Sequence, residues 1–201
     1  MTKIDTNRPE NVLPTPSQTV GPFYGYALPF PGGGDIAPVG HPDTITLHGQ
    51  VYDGEGRPLP DALLELWGPA PDGTVPRVDG SMPRDAATGG HTGRSGVEFT
   101  GWGRVQTDAS GHWYARTLRP GALGRSAPYI SVCVFARGLL MHLFTRIYLP
   151  GDEAALAADP LLARVDEERR GTLIAADEGR GTYRFDVRLQ GEGETVFLEF
   201  Q

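Results

Sequence analysis

Glycine and proline punctuate this chain in short clusters, 28 and 18 of them in 201 residues, and long helices do not survive such spacing. Between the clusters apolar and polar residues alternate with the period of a strand that has one buried face. Together these features predict an all-β fold, a sandwich of about eight strands with one or two short helices. At 201 residues and 39% hydrophobic content the chain can bury one substantial core, so residues 1–201 are expected to form a single domain. Residues 1–43 read as an extended arm, because Pro9, Pro14, Pro16, Pro22, Pro29, Pro31, Pro38 and Pro42 remove ladder donors. Val20, Phe23, Tyr24, Tyr26, Leu28 and Phe30 give that arm more apolar surface than a solvated tail carries, so it is expected to pack on the core or on a partner. Gly32-Gly33-Gly34 follows no strand and reads as a flexible turn.

The alternation locates the elements. Tyr129 to Phe135 and Leu140 to Tyr148 read as a hairpin closed by Ala136-Arg137-Gly138-Leu139. Thr44 to Tyr52 and Ala62 to Trp67 are expected to be strands of one sheet. Arg104 to Thr107 and His112 to Thr117 read as a second hairpin, and Tyr183 to Gln190 with Thr195 to Phe200 as a third. Residues 69–101 form a long Gly- and Pro-rich excursion of the kind that often carries function. Asp152 to Ala158 and Asp166 to Ala175 have the composition of short helices, separated by Pro160.

Charge and motif narrow the function. A net charge of −7 and a pI near 5.2 remove the basic footprint of a nucleic-acid binder. The N-terminus has no apolar leader, no window approaches a membrane span, and the single cysteine, Cys133, cannot form an internal disulfide; a cytoplasmic location is expected. The histidines stand at 41, 48, 91, 112 and 142, and no two have the spacing of a local metal pair. His142 reads as a hydrogen-bonded interior or interface residue. Tyr129 and Ser131 project from one face of a strand, yet they make a poor ligand pair. Arg137, in its turn between Phe135 and Gly138, is placed to offer a bidentate fork to a carboxylate, although on the residues alone a plain surface arginine in a turn is the better explanation.

An ordered set of motifs resembles the intradiol ring-cleaving dioxygenases. It comprises Thr15-Pro16-Ser17-Gln18-Thr19 with Gly21-Pro22, His48-Gly49-Gln50-Val51-Tyr52-Asp53-Gly54, Leu64-Glu65-Leu66-Trp67, Phe135-Ala136-Arg137-Gly138, Thr145-Arg146-Ile147-Tyr148, Tyr183-Arg184-Phe185-Asp186 and Gln190-Gly191-Glu192-Gly193-Glu194-Thr195. Within the family the chain is similar to the α-type subunit of a two-subunit enzyme, whose β-type partner holds Fe(III) with two tyrosines and two histidines. The resemblance implies that all four ligand positions are vacated here: Tyr129 and Ser131 replace the histidines, and the tyrosines would fall near Val75 and Leu123. It further implies that Thr19, Gly21, Pro22 and Arg137 lie near substrate in the partner's site. The expected assembly is αβ pairs in a larger symmetric oligomer, and the expected reaction is O2-dependent cleavage of 3,4-dihydroxybenzoate to 3-carboxy-cis,cis-muconate. Two other readings compete. One is a non-catalytic transthyretin-like β-sandwich module, suggested by Gly49 to Ala62; the other is a homomeric dioxygenase using ligands such as Tyr129 and His142.

Overall fold

The computed structural model describes residues 18–199. Among them nine strands form two sheets. Strands β1 (Thr44–Tyr52), β4 (His112–Leu118), β7 (Ala176–Gly179) and β8 (Thr182–Arg184) form one sheet in the order β4-β1-β8-β7, and β9 (Val187–Arg188) adds to β1. Strands β2 (Leu63–Trp67), β3 (Trp102–Gln106), β5 (Tyr129–Phe135) and β6 (Leu143–Tyr148) form the other, in the order β3-β2-β5-β6. The period-two patterning explains how they face. Ile45, Leu47 and Val51 of β1 point inward while Thr46, His48, Gln50 and Tyr52 stay half-exposed. Opposite them Ile130, Val132 and Val134 of β5, with Leu64, Leu66 and Ile147, complete the core around the fully buried Trp113.

Three expected pairings differ from those observed. β1 and β2 lie in opposite sheets: residues 57–59 fold back on the end of β1, with Leu59 N donating to Val51 O at 2.8 Å, but that pairing stops before β2, both of whose edges are taken, by β3 and β5. β3 and β4 likewise belong to different sheets. Their connection, Asp108 to Gly111, is closed by Asp108 N donating to His112 O at 2.8 Å and carries the chain across the core. The third difference is at the C-terminus: β8 and β9 run parallel to β1, and residue 198 bridges to Phe144 of β6. Where β8 breaks from β9, Phe185 N donates to His48 O at 2.7 Å and the Asp186 carboxylate accepts from Gln50 N at 2.9 Å, replacing a ladder bond with a side chain. The approach is so close that a Cβ on Gly49 would lie 1.9 Å from the Phe185 carbonyl oxygen.

The central hairpin forms as expected, except that β6 begins at Leu143 and residues 136–142 make a longer loop with Leu140 and Met141 exposed. The helical segments are short, as expected. α2 (Glu153–Ala158) is capped by the Asp152 carboxylate accepting from Ala155 N at 2.9 Å, and α3 (Glu167–Arg170) leads into a 3-10 turn, Gly171–Leu173. This helical layer covers one end of the outer face of β5 and β6, making a second apolar cluster of Ala127, Tyr129, Tyr148, Leu156, Leu162 and Leu173.

The described part of the arm packs on the sandwich. α1 (Tyr24–Ala27) buries Tyr24, and Phe30, Ile36 and Ala37 are buried beyond it. Gly33 and Gly34 are not a free turn: Arg104 N donates to Gly33 O at 2.9 Å and Arg116 N to Gly34 O at 2.7 Å, sealing the gap between the edges of β3 and β4. A Cβ on Gly33 would stand 2.2 Å from the Arg104 carbonyl oxygen, so glycine is required there.

Candidate functional site

Two regions bear on function. The first lies at the end of the sandwich where β5 gives way to the 136–142 loop. Buried Ala136 anchors this loop, and Gly138 turns it with a positive φ of 88°. Arg137 therefore projects from a fixed base, with its side chain 73% exposed. Its Nε donates to Asp61 Oδ2 at 2.6 Å, and Nη2 contacts the same oxygen. Asp61 precedes β2, and the neighbouring turn is held by Thr107, whose hydroxyl donates to Leu59 O at 2.7 Å and accepts from Ala62 N at 2.9 Å. Tyr24, only 5% exposed, donates its phenol proton to the Asp61 carbonyl oxygen, and burial followed by the Asp61 charge pushes its pKa up. Arm, β2 turn and β5–β6 loop thus meet around one ion pair.

A cleft of about 360 Å³ opens there, lined by Pro22, Tyr24, Tyr26, Asp61, Gln106 and Arg137 among others. Beside it a more apolar groove of about 310 Å³ is lined by Gln18, Val20, Phe135, Leu139, Met141 and His142 among others. The structure therefore brings Pro22 and Arg137 into one cleft. Thr19 and Gly21 alternate with the groove-lining Gln18 and Val20 along the arm, and Gly21 N donates to Thr19 Oγ1 at 3.1 Å. Thr15, Pro16 and Ser17 lie outside the described residues. His142 packs against Phe135 and Phe144, with ring centroids 5.5 and 4.7 Å away, but it is exposed and makes no hydrogen bond among the described residues, so the expected hydrogen-bonded interior position is not what is observed: it lies in the 136–142 loop before β6 begins. Asp61 and Tyr24 were not singled out by sequence; Asp61 sits in a Pro-Leu-Pro-Asp run that reads as an ordinary turn, and its partner is 76 residues away.

The second region surrounds the four positions at which the resemblance puts a metal in related chains. Tyr129 is buried with the Arg146 guanidinium 3.8 Å above its ring, and the Tyr148 ring lies 5.9 Å off. Arg146 Nη1 donates to the Tyr148 hydroxyl at 3.1 Å, and that hydroxyl donates to Asp159 Oδ1 at 3.1 Å. Burial pushes the Tyr148 phenol up to about 12, so it is a neutral donor at physiological pH. Ser131 is paired with Arg146 across the ladder, Leu123 packs on the second apolar cluster, and Val75 is largely exposed. A ferric ion needs several anionic oxygen or imidazole donors. A guanidinium over the ring, an alcohol and two aliphatic side chains do not fit it. Among the described residues, no three His, Cys, Asp or Glu side chains are grouped to hold a metal ion. Tyr129 and His142 cannot share one either: they lie at opposite ends of β5, about 20 Å apart at the ordinary strand rise.

The fold is similar to that of the dioxygenase domain of a dioxygenase carbohydrate-binding protein fusion from Streptomyces sp. SirexAA-E, which superposes with a TM-score of 0.54, at 23% identity, over 89% of this chain and 99% of that one. A family model described as dioxygenase matches residues 34–191. The chain belongs to the intradiol dioxygenase family. It is 43% identical to the protocatechuate 3,4-dioxygenase alpha chain of Burkholderia cepacia over 92% of this chain and 96% of the relative. It is also 30% identical to the beta chain of the same enzyme from that organism, over 76% of this chain and 67% of that one. No helix among the described residues is long and apolar enough to cross a membrane.

Proposed function

We propose that this chain is the iron-free, α-type subunit of a protocatechuate 3,4-dioxygenase, acting on 3,4-dihydroxybenzoate and O2 together with a β-type chain that holds Fe(III). One observation carries the reading: the chain follows an alpha chain along almost its whole length, while Arg146, Ser131 and aliphatic side chains fill the region where a metal-holding relative needs ligands. The relationship to a beta chain supports a heteromer of related subunits, arranged as αβ pairs.

In this reading the active site is completed from two chains. Thr19, Gly21 and Pro22 of the arm and Arg137 of the β5–β6 loop approach the partner's substrate, supported by the shared cleft of Pro22 and Arg137. Their work is to exclude water from the aromatic ring, through the apolar groove, and to offer a guanidinium donor to the substrate carboxylate. The ring opens to 3-carboxy-cis,cis-muconate. A cytoplasmic location is part of the proposal, supported by a lone cysteine whose thiol burial pushes up to about 12, leaving it unreactive. A transthyretin-like module does not account for a likeness that runs over 92% of the chain.

The test is co-expression with an iron-bearing β-type chain. The purified complex should cleave 3,4-dihydroxybenzoate between its hydroxyls, and the chain alone should not. Ring cleavage by the isolated chain would overturn the proposal.

A further inference from the structure

The Arg137 guanidinium does not stand in the cleft as a free cation. Nε and Nη2 both face one oxygen of Asp61, Oδ2, which ties down one edge of the planar group and leaves Nη1 without a partner among the described residues. Asp61 Oδ1 is buried and, among the described residues, also lacks a partner, so no other hydrogen bond among them shares this carboxylate. The carboxylate is itself held. Tyr24, buried in the arm, donates to the Asp61 main-chain oxygen and so fixes the backbone from which that carboxylate projects. Tyr24 therefore fixes the Asp61 end of the ion pair, from a position two residues beyond Pro22, and lines the same cleft as Arg137.

We infer that Asp61 and Tyr24 are positioning residues for Arg137: they hold the guanidinium edge-on, so that Nη1 presents an aimed, charge-compensated hydrogen-bond donor to a carboxylate entering the cleft. The inference rests on the assignment of this cleft to a dihydroxybenzoate-cleaving site. It gives Arg137 a directional role. A guanidinium this exposed is screened by water, so its bare charge adds little at a distance, whereas a correctly oriented donor acts at contact. Because Asp61 offsets the charge, the pair should read the carboxylate's geometry with little dependence on salt.

The assembled two-chain enzyme, assayed on 3,4-dihydroxybenzoate and on catechol, which lacks the carboxylate, provides the test. Asp61→Asn should raise KM for 3,4-dihydroxybenzoate relative to that for catechol by about tenfold, the low end for one charge-assisted contact. It should also make that KM rise with ionic strength, because the guanidinium is no longer compensated; a merely structural role would not do so. Tyr24→Phe, which changes no charge, should shift the same ratio about threefold. Asp61→Asn added to Arg137→Ala should have no further effect, since the two act as a unit. If Arg137→Ala moves the ratio while Asp61→Asn and Tyr24→Phe do not, the cleft assignment stands and the positioning role is wrong. If Arg137→Ala itself leaves the ratio unchanged in an intact complex, the cleft assignment fails and takes this inference with it. Should Asp61→Asn fail to assemble by intact mass, Tyr24→Phe decides the question.

Discussion

Replacing Asp159 by alanine is expected to destabilise the chain by about 3–5 kcal/mol. This carboxylate is 0% exposed, beneath the helical layer. Its Oδ1 accepts from Leu161 N at 2.8 Å, Leu162 N at 3.0 Å and the Tyr148 hydroxyl at 3.1 Å, and its Oδ2 accepts from Ala127 N at 2.9 Å. Alanine leaves these donors without an acceptor. Leu161 is half-buried and can recover water, whereas the other three are enclosed, and each buried unpaired donor costs roughly 1–3 kcal/mol. For a chain of this size the midpoint of thermal unfolding should fall by about 10 °C. Asp159→Asn retains the Oδ1 acceptor and sets an amide against the Ala127 N–H, so about half that loss is expected. Urea unfolding followed by circular dichroism, with unchanged slope, measures both. An alanine variant within about 1 kcal/mol of the parent would refute the reasoning, because it would mean the network does not hold Tyr148, and through it Arg146, in place over Tyr129.

Gly33→Ala must open the seam between β3 and β4, since its Cβ would meet the Arg104 carbonyl; a loss of about 1–3 kcal/mol in urea unfolding is expected, while Gly25→Ala, with open space around it, should change far less. Stability should fall as pH drops below about 4. The Arg57 backbone N–H at Asp53, the Thr88 backbone N–H at Asp85 and the Ser110 hydroxyl at Asp108 each hold the carboxyl below its usual range. In that acid range the unfolded chain binds more protons than the folded one, so the contribution is complete above the ordinary carboxylate value and is lost as pH falls through the native values. Thermal midpoints between pH 6 and 2 measure it, and Asp108→Asn should flatten the curve. Cys133, with its thiol pushed up to about 12, should react with a thiol-specific disulfide reagent at pH 8 at a small fraction of the rate seen in urea.

The strands were legible in the sequence because period-two alternation and Gly-Pro punctuation are local signals. Which strands pair was not. Ala62 to Trp67 alternates in the same way whichever sheet it joins, and what sends it away from β1 is the occupation of both its edges by strands 30 and more residues distant. The same holds for Tyr183 to Leu189, whose expected hairpin gives way to parallel pairing made possible by Gly49 and patched by Asp186. At the candidate site Arg137 stood out through its turn, and the family motif added Pro22. Tyr24 and Asp61 stayed hidden because a buried phenol donating to a main-chain carbonyl leaves no pattern in sequence. Tyr129 and Ser131 were visible as replaced ligands, but the guanidinium over Tyr129 was not, since Arg146 lies on the neighbouring strand.

The central claim is that this polypeptide walls in another chain's iron and holds none of its own. Metal analysis by plasma mass spectrometry, on the chain purified alone from iron-replete cells and on its co-expressed complex, tests that claim most directly. The account predicts far less than one iron per isolated chain and one per αβ pair in the complex. Stoichiometric, tightly bound iron in the isolated chain would contradict it.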